Sequence, residues 1–226
     1  MGILQTKKTA TDAKTVDFSL AKSRNLLLIF TRNPELGKVK TRLAAKVGDE
    51  AALAIYKFLL DHTLAITKGL YAKKTVYYSE EIWEHDIWDN TIFDKKLQEG
   101  KDLGARMGHA FQQGFHNGFE KIAIIGSDMF DLSQEDLESA FIALDKSDFV
   151  VGPAEDGGYY LLGMKRFMPQ LFQAKGWGTA TVLEDTLSNL AAEKTALLKP
   201  KNDIDRYEDI QNIETFAPFL KHIKNP

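Results

Sequence analysis

The sequence predicts an α/β layer architecture on a mainly parallel sheet. From Asn25 onward, short apolar runs alternate with longer segments of helical period, the order expected when strands are joined by helices that pack on the sheet. Two of the runs, residues 26–31 and 122–126, are almost continuously apolar, as strands covered on both faces must be. After residue 25 no repeat, low-complexity tract or Pro/Gly/Ser-rich linker breaks the pattern. The expectation is one domain over residues 24–226, preceded by a tail over residues 1–23 that mixes Lys, Thr, Ala and Asp and does not read as a secretory signal.

Each element has its own signal. Residues 26–31 form the first strand, ended by Arg32 and Pro34. Asp49 to Lys68 reads as an amphipathic helix: its acidic first turn suits the positive helix end, and Ala52, Ile55, Tyr56, Leu59 and Ile66 share a face. Residues 74–79, around Val76-Tyr77-Tyr78, are strand-like, and residues 91–98 suggest another strand. Asp102 can cap a helix running through Ala105, Met107, Ala110 and Phe111 to about Asn117. Residues 122–126 are the second buried strand. Ser133-Gln134-Glu135-Asp136 is a capping-box variant that opens a helix to Leu144. Residues 149–152 and 159–164 are strands separated by a polar, glycine-containing elbow. Thr181 with Glu184 predicts a second capping box and a helix to about Ala192. A short strand at 196–198 and a closing helix over 207–221 complete the reading.

Composition removes several function classes. The 226 residues can bury roughly 70% of the chain's surface in one core, so no covalent staple is needed. With no cysteine, a disulfide scaffold, a cysteine nucleophile and a thiolate metal site are excluded, and a reducing cytoplasm fits. The 29 Lys and Arg nearly balance 32 Asp and Glu, which argues against a nucleic-acid or membrane-surface binder. The longest wholly apolar run, Leu26 to Phe30, is too short to span a bilayer. H-E-x-x-H, G-x-S-x-G and a G-x-G-x-x-G after a strand are all missing, and the five histidines show no metal-ligand spacing. Hydrolase, dehydrogenase and zinc chemistry therefore find no support.

In α/β sheets, ligands bind beyond the carboxyl ends of the strands, so the segments that follow strands carry the functional reading. Thr31-Arg32-Asn33-Pro34-Glu35-Leu36-Gly37-Lys38-Val39-Lys40-Thr41-Arg42-Leu43 sets four cations against one carboxylate directly after the first strand. Such a loop suits a phosphate chain, with backbone N–H groups and Arg32, Lys38, Lys40 and Arg42 neutralising its oxygens. A solvated basic loop is the plainer alternative. It is not a P-loop, because Val39 follows Gly37-Lys38 where Ser or Thr is required. Ile124-Ile125-Gly126-Ser127-Asp128 ends a buried strand on a carboxylate able to share Mg²⁺ with phosphates, or simply to brace a turn.

Gly152-Pro153-Ala154-Glu155-Asp156-Gly157-Gly158-Tyr159-Tyr160 places two acids, two glycines and two aromatics between strands, beyond what a hairpin turn requires. Asn202-Asp203-Ile204-Asp205 adds a further acidic corner, where Asp205 could equally be a helix cap. Gln98-Glu99-Gly100-Lys101-Asp102-Leu103-Gly104-Ala105-Arg106-Met107 sets Asp102 and Arg106 at a helix start, a place for a base or phosphate or only a capped helix. Gly176-Trp177-Gly178-Thr179 offers an aromatic plate for a sugar or base, or a cover on the core edge. Together a basic loop and three acidic strand ends outline a metal–diphosphate site.

These segments, in this order, resemble the DUF2064 family of glycosyltransferase-like proteins, including arsenosugar-biosynthesis glycosyltransferases, relatives of the 2-phospho-lactate and molybdenum-cofactor guanylyltransferases. Residues 30–43, 98–107, 126–130, 152–159 and 203–209 match the family patterns F-x-[KR]-x-P-x-x-G-x-x-K-T-R-L, Q-x-x-x-D-L-G-x-R-M, G-[TS]-D-x-P, G-P-A-x-D-G-G-Y and D-[IV]-D-T-x-E-D. Phe130 departs from the usual Pro and Arg206 from the usual Thr. The resemblance implies a GT-A-like nucleotide-diphospho-sugar transferase fold, a three-layer α/β/α sandwich. It implies phosphate contacts from Arg32, Gly37, Lys38, Lys40, Arg42, Asp102 and Arg106, with Lys40 also catalytic. It further implies Mg²⁺ or Mn²⁺ on Asp128 and Asp205, Asp156 as the catalytic carboxylate, and a substrate wall from Glu155, Gly157, Gly158, Tyr159, Trp177 and Thr179.

The expected activity is metal-dependent transfer of a glycosyl group from a nucleotide-sugar to a small-molecule acceptor. A nucleotidyltransferase that joins an NTP to a phosphorylated acceptor and releases pyrophosphate is the alternative, and a non-catalytic nucleotide-binding module is a third. A cytoplasmic location is expected. The stretch 78–90, with Trp83, His85 and Trp88, suggests an acceptor rim or a homodimer contact, or a core edge.

Overall fold

The computed structural model describes residues 23–223. The expected N-terminal tail therefore lies, but for Ser23, outside the described residues. Seven strands form one sheet: β1 (Asn25–Thr31), β2 (Lys73–Tyr78), β3 (Phe93–Leu97), β4 (Lys121–Gly126), β5 (Phe149–Pro153), β6 (Tyr159–Met164) and β7 (Thr195–Leu197). Their spatial order is β3-β2-β1-β4-β6-β5-β7. β1 pairs in parallel with both β2 and β4, β2 with β3, and β5 with β7, whereas β6 runs antiparallel to β4 and β5. The glycine elbow makes that reversal, because it returns the chain as a hairpin where a helical crossover would have kept the strands parallel.

The alternation of β1 feeds two cores. Leu27 and Ile29 join Tyr56, Leu60, Leu137 and Leu144, from helices α2 (Asp49–Lys68) and α4 (Gln134–Lys146). Leu26 and Leu28 face Met107 and Phe111 of α3 (Leu103–His116), with Leu183 and Leu187 of α5 (Val182–Asn189) packed at the edge. Helices thus cover both faces, giving the three layers expected. α2 has the bounds its periodicity predicts. Asp102 caps α3 by accepting from the Ala105 N–H at 2.8 Å, and Ser133 with Asp136 forms a full capping box on α4.

Three expectations need correction. The basic segment is not all loop, for α1 (Thr41–Val47) begins inside it. Thr181 forms no capping box: its backbone is already helical (φ −95°, ψ −6°), and its hydroxyl turns to Thr179 and Asp185. The closing helix over 207–221 is replaced by 3₁₀ turns at Tyr207–Asp209 and Glu214–Phe216 and by the single-turn α6 (Ala217–Leu220). There the Asp209 carboxylate folds back to accept from the N–H groups of Asp205 (2.9 Å) and Arg206 (2.6 Å), a local bond that competes with helix propagation.

The sequence departures also find their places. Phe130 packs its ring with Phe58, His62 and Phe216, joining the cluster that holds the C-terminal turns against α2. Position 206 contributes its backbone N–H, which any residue but proline supplies, and the Arg206 side chain is exposed. Trp88 belongs to the core, 2% exposed and edge-on to Phe93, and with Trp83 and His85 it lines a cavity of about 490 Å³. No described helix is long and apolar enough to cross a membrane.

Candidate active site

The strand order reverses between β1 and β4, and a cleft of about 710 Å³ opens over their carboxyl ends. A buried hydroxyl cluster fixes those two ends together. Tyr56 of α2 shares its hydroxyl with Thr31 (3.2 Å) and Ser127 (3.2 Å) and accepts from the Arg32 N–H (3.0 Å), while Ser127 donates to Thr31 at 3.0 Å. Burial pushes the Tyr56 phenol above its ordinary value, so it remains a neutral brace. Gln98 adds a second brace: its amide donates to the carbonyls of Thr31 (3.1 Å) and Tyr77 (3.0 Å), and its oxygen faces Arg106 at 3.4 Å. The Arg106 Nε donates to the Gly100 carbonyl.

The cations expected to meet phosphates divide sharply. Lys38 is paired with Glu35 (2.8 Å) and Glu80 (3.4 Å), Lys40 with Asp128 (2.7 Å), and Arg42 with Asp205 (2.8 Å). The guanidiniums of Arg32 and Arg106 make no ion pair among the described residues, and both line the cleft. Lys40 is singular. Its side chain is 5% exposed, and its backbone is left-handed (φ 48°, ψ 44°), a strained conformation for a residue with a Cβ. Burial opposes its charge, but Asp128 outweighs that with help from Asp205 and Asp203, and the ammonium is held above its usual range. Gly126 makes room for the partner, since a Cβ there would lie 2.9 Å from the Asp128 carboxylate.

The acidic side gathers Asp128, Asp156, Asp203 and Asp205. Residues 199–205 run beside the end of β5, with the Lys201 N–H donating to the Pro153 carbonyl at 3.1 Å and the Glu155 N–H to the Lys201 carbonyl at 3.0 Å. Lys201 anchors this segment through Asp136 (2.9 Å) and the Asp131 carbonyl (2.7 Å). Because Asp209 takes the backbone-capping role, Asp205 is left to face Arg42. Asp203 is a member that sequence reasoning did not single out. Burial pushes its carboxyl up to about 6, with Asp156 and Asp128 adding to the rise and Lys40 opposing it. The Asp-x-Asp spacing was visible, but not that the intervening Ile204 is buried and turns both acids toward the same corner.

Among the described residues no three His, Asp or Glu side chains stand together as a ready-made metal centre. The donor set nonetheless suits Mg²⁺ or Mn²⁺. Its oxygens are hard, its negative charge exceeds what Lys40 neutralises, and Mg²⁺ commonly needs only one or two carboxylates beside substrate phosphates.

Next to the cleft, sharing Phe30, Leu103 and Gly126 with it, lies an apolar pocket of about 230 Å³. Tyr159, Trp177, Thr179, Gly158 and Asp156 line it together with Met107. Asp156 is oriented by the Gly158 N–H, which donates to its Oδ1 at 2.8 Å. Gly37, Asp102, Glu155 and Gly157 do not line either cavity. Gly37 and Glu155 sit in exposed turns, Asp102 is spent on the α3 cap, and Gly157 packs under Ala180. The remaining site residues of the sequence reading line the cleft or the adjoining pocket.

A family model described as an uncharacterized protein conserved in bacteria (DUF2064) matches residues 63–179. The chain belongs to the DUF2064 family. A crystal structure from Desulfovibrio desulfuricans G20, provisionally named a nucleotide-diphospho-sugar transferase, is 30% identical over 88% of this chain and 94% of that one, with a TM-score of 0.77. Two more distant structures share the fold. One is Rv0371c of Mycobacterium tuberculosis in complex with manganese, 11% identical over 83% of this chain and 96% of that one, TM-score 0.51. The other is 4-diphosphocytidyl-2C-methyl-D-erythritol synthase, 13% identical over 88% and 99%, TM-score 0.54. No protein of curated description matches the chain. This DUF2064 member thus has the nucleotide-diphospho-sugar transferase fold.

Proposed function

We propose that this DUF2064 protein is a nucleotide-dependent transferase that moves a glycosyl group from a nucleotide-diphospho-sugar to a small-molecule acceptor. One observation carries the reading: over the switch point between β1 and β4, Arg32 and Arg106, which make no ion pair among the described residues, line one cleft with the carboxylates of Asp128 and Asp205. A metal-bound diphosphate is the ligand that both halves suit. Arg32 and Arg106 would take phosphate oxygens through charge-assisted hydrogen bonds. Asp128 and Asp205 would hold Mg²⁺ or Mn²⁺, which when bound supplies charge stabilisation to the leaving diphosphate. Lys40 and Arg42, already seated on those carboxylates, would keep the corner from repelling the incoming anion.

The sugar would lie in the apolar pocket against Tyr159, Trp177 and Thr179. Burial keeps the Tyr159 hydroxyl well above its ordinary pKa, so it is neutral there. Asp156 stands at the wall of that pocket and would accept the proton of the acceptor hydroxyl as its oxygen bonds to the anomeric carbon. The bond from that carbon to the diphosphate breaks in the same step, and the nucleoside diphosphate leaves with the electron pair.

A thermal-shift panel of nucleotide-sugars and NTPs, each with Mg²⁺ or Mn²⁺, tests the reading. A shift with nucleotide-sugars, and a free nucleoside diphosphate as product, is the expected result. A shift confined to NTPs with release of pyrophosphate would replace glycosyl by nucleotidyl transfer. Silence across the whole panel would end both. Asp128→Ala is expected to abolish the metal dependence of whichever shift is seen.

A further inference from the structure

A second cavity, of about 550 Å³, lies against α3, and Trp177 stands in the walls of both this cavity and the apolar pocket beside Asp156. Its volume is within the range of small-molecule sites. Glycine shapes its floor. Gly104 and Gly108, one helical turn apart, let two aromatic rings pack directly on α3: a Cβ at Gly104 would lie 2.5 Å from the Trp177 indole, and one at Gly108 3.2 Å from the Phe172 ring. Phe167 stacks on Phe172 with centroids 5.9 Å apart and planes 15° from parallel. The result is an aromatic wall that does not belong to the nucleotide cleft.

The rim of this cavity is cationic. Lys101 is exposed and has no ion pair among the described residues. Lys175 donates to the Asn189 amide oxygen at 2.8 Å, a neutral partner, and makes no ion pair among the described residues. Burial holds Lys175 below the ordinary lysine range, with Asp185 acting in the opposite direction. His109 completes the rim, sharing one ring nitrogen with the Gln113 amide and setting the other 3.9 Å from Glu99. The one carboxylate in the lining, Asp102, is occupied by the α3 cap. An apolar ring wall beside ammonium groups that make no ion pair among the described residues asks for a ligand that has a flat apolar body and a negative charge.

We propose that this cavity is a second small-molecule site that binds a compact ring-bearing anion, an aryl phosphate or an aromatic carboxylate, with its ring on Phe172 and Trp177 and its charge at Lys101 and Lys175. The site is independent of the nucleotide reading, since it shares Trp177 with the proposed sugar pocket but none of the phosphate- or metal-facing residues.

The test titrates the full chain with phenyl phosphate and, separately, with benzoate, following heat and tryptophan fluorescence. Saturable binding of at least one probe is expected, and the two arms show whether phosphate or carboxylate is preferred. In a Lys101→Ala/Lys175→Ala variant with the wild-type melting temperature, affinity for that probe should fall tenfold or more, while the response to nucleotide with Mg²⁺ stays unchanged. In Arg32→Ala the probe should bind as in wild type. Trp177→Phe should remove most of the fluorescence response while heat is still released. No saturable binding of either probe overturns the proposal, as does a loss that follows Arg32→Ala, which would put the anion in the main cleft.

Discussion

Arg32 and Lys40 leave the same basic segment, yet the fold uses them in different ways. Lys40 is buried, strained at φ 48° and bonded to Asp128, whereas Arg32 is exposed and has no ion pair among the described residues. The same division holds for the other pair: Arg42 pairs with Asp205, while Arg106 bonds a carbonyl and an amide oxygen and makes no ion pair among the described residues. Paired cations assemble the acidic corner, and unpaired ones are left for a ligand. Charge in a sequence does not distinguish the two, because pairing is decided by where the partner strand ends.

The largest test of this division is Lys40→Met. Removing one partner of a buried ion pair costs about 3–5 kcal/mol. The Asp128 side chain keeps 38% of its surface exposed. Solvent screens part of the loss, so about 2 kcal/mol is expected, a fall of about 4–8 °C in the melting temperature for a domain of this size. Lys40→Gly separates strain from charge. It loses the same ion pair but relieves the left-handed backbone, and should melt above Lys40→Met. Equal melting of the two variants would show that the strain relieved is no larger than the packing and chain entropy that glycine gives up, and an unchanged melting point in both would break the division altogether.

Arg32→Ala should do the reverse. With no partner lost, thermal stability is expected to stay within about 0.5 kcal/mol of wild type. Nucleotide affinity by calorimetry should fall about tenfold to thirtyfold, near 1.4–2 kcal/mol, as expected for one charge-assisted hydrogen bond. A variant that melts early and binds nucleotide normally would place Arg32 among the structural cations instead.

How much of this was legible in the sequence follows the same physics. The elements whose signals are local were readable: α2 from its apolar face, α3 from Asp102, α4 from Ser133 and Asp136, β1 and β4 from uninterrupted apolar runs. The closing helix over 207–221 was not, because Asp209 spends its carboxylate on the backbone of Asp205 and Arg206, and nothing in the spacing announces that choice. Within the site, Asp128, Asp156 and Asp205 were readable as acids after strands. Asp203 required knowing that Lys201 bridges to the backbone beside the end of β5 and that Ile204 is buried. The unpaired state of Arg106 required knowing that Gln98 bridges two strand ends and offers it only a neutral oxygen.

Gly104→Ala sharpens the comparison on the ligand-facing side, where packing rather than charge sets the wall. The added methyl would lie 2.5 Å from both the Trp177 indole and the Phe172 carbonyl oxygen. Overpacking of this kind costs about 1–2 kcal/mol and should displace Trp177, seen as an altered tryptophan emission with an early melt. If stability fell while the emission held its position, the strain would be taken up by Phe172 and its turn.

The smallest effect concerns the pair at the base of the acidic corner, Lys201 with Asp136, which belongs with the structural cations. Burial opposes the Asp136 charge, but hydrogen bonds from Lys201 and Ser133 outweigh it and hold the carboxyl below its ordinary value. A carboxylate depressed in the folded state contributes stability above its unfolded pKa, and that contribution disappears as pH falls through the folded value. Asp136→Asn keeps an acceptor oxygen and removes only the charge. Because the Asp136 side chain keeps 27% of its surface exposed and solvent screens the pair, the variant should be less stable than wild type by under about 1 kcal/mol near pH 7. The difference should shrink as pH drops below about 4, where the wild-type carboxylate also loses its charge. Denaturant midpoints measured across that range decide it, and a gap that persists at low pH would assign the effect to the capping hydrogen bonds rather than to Lys201.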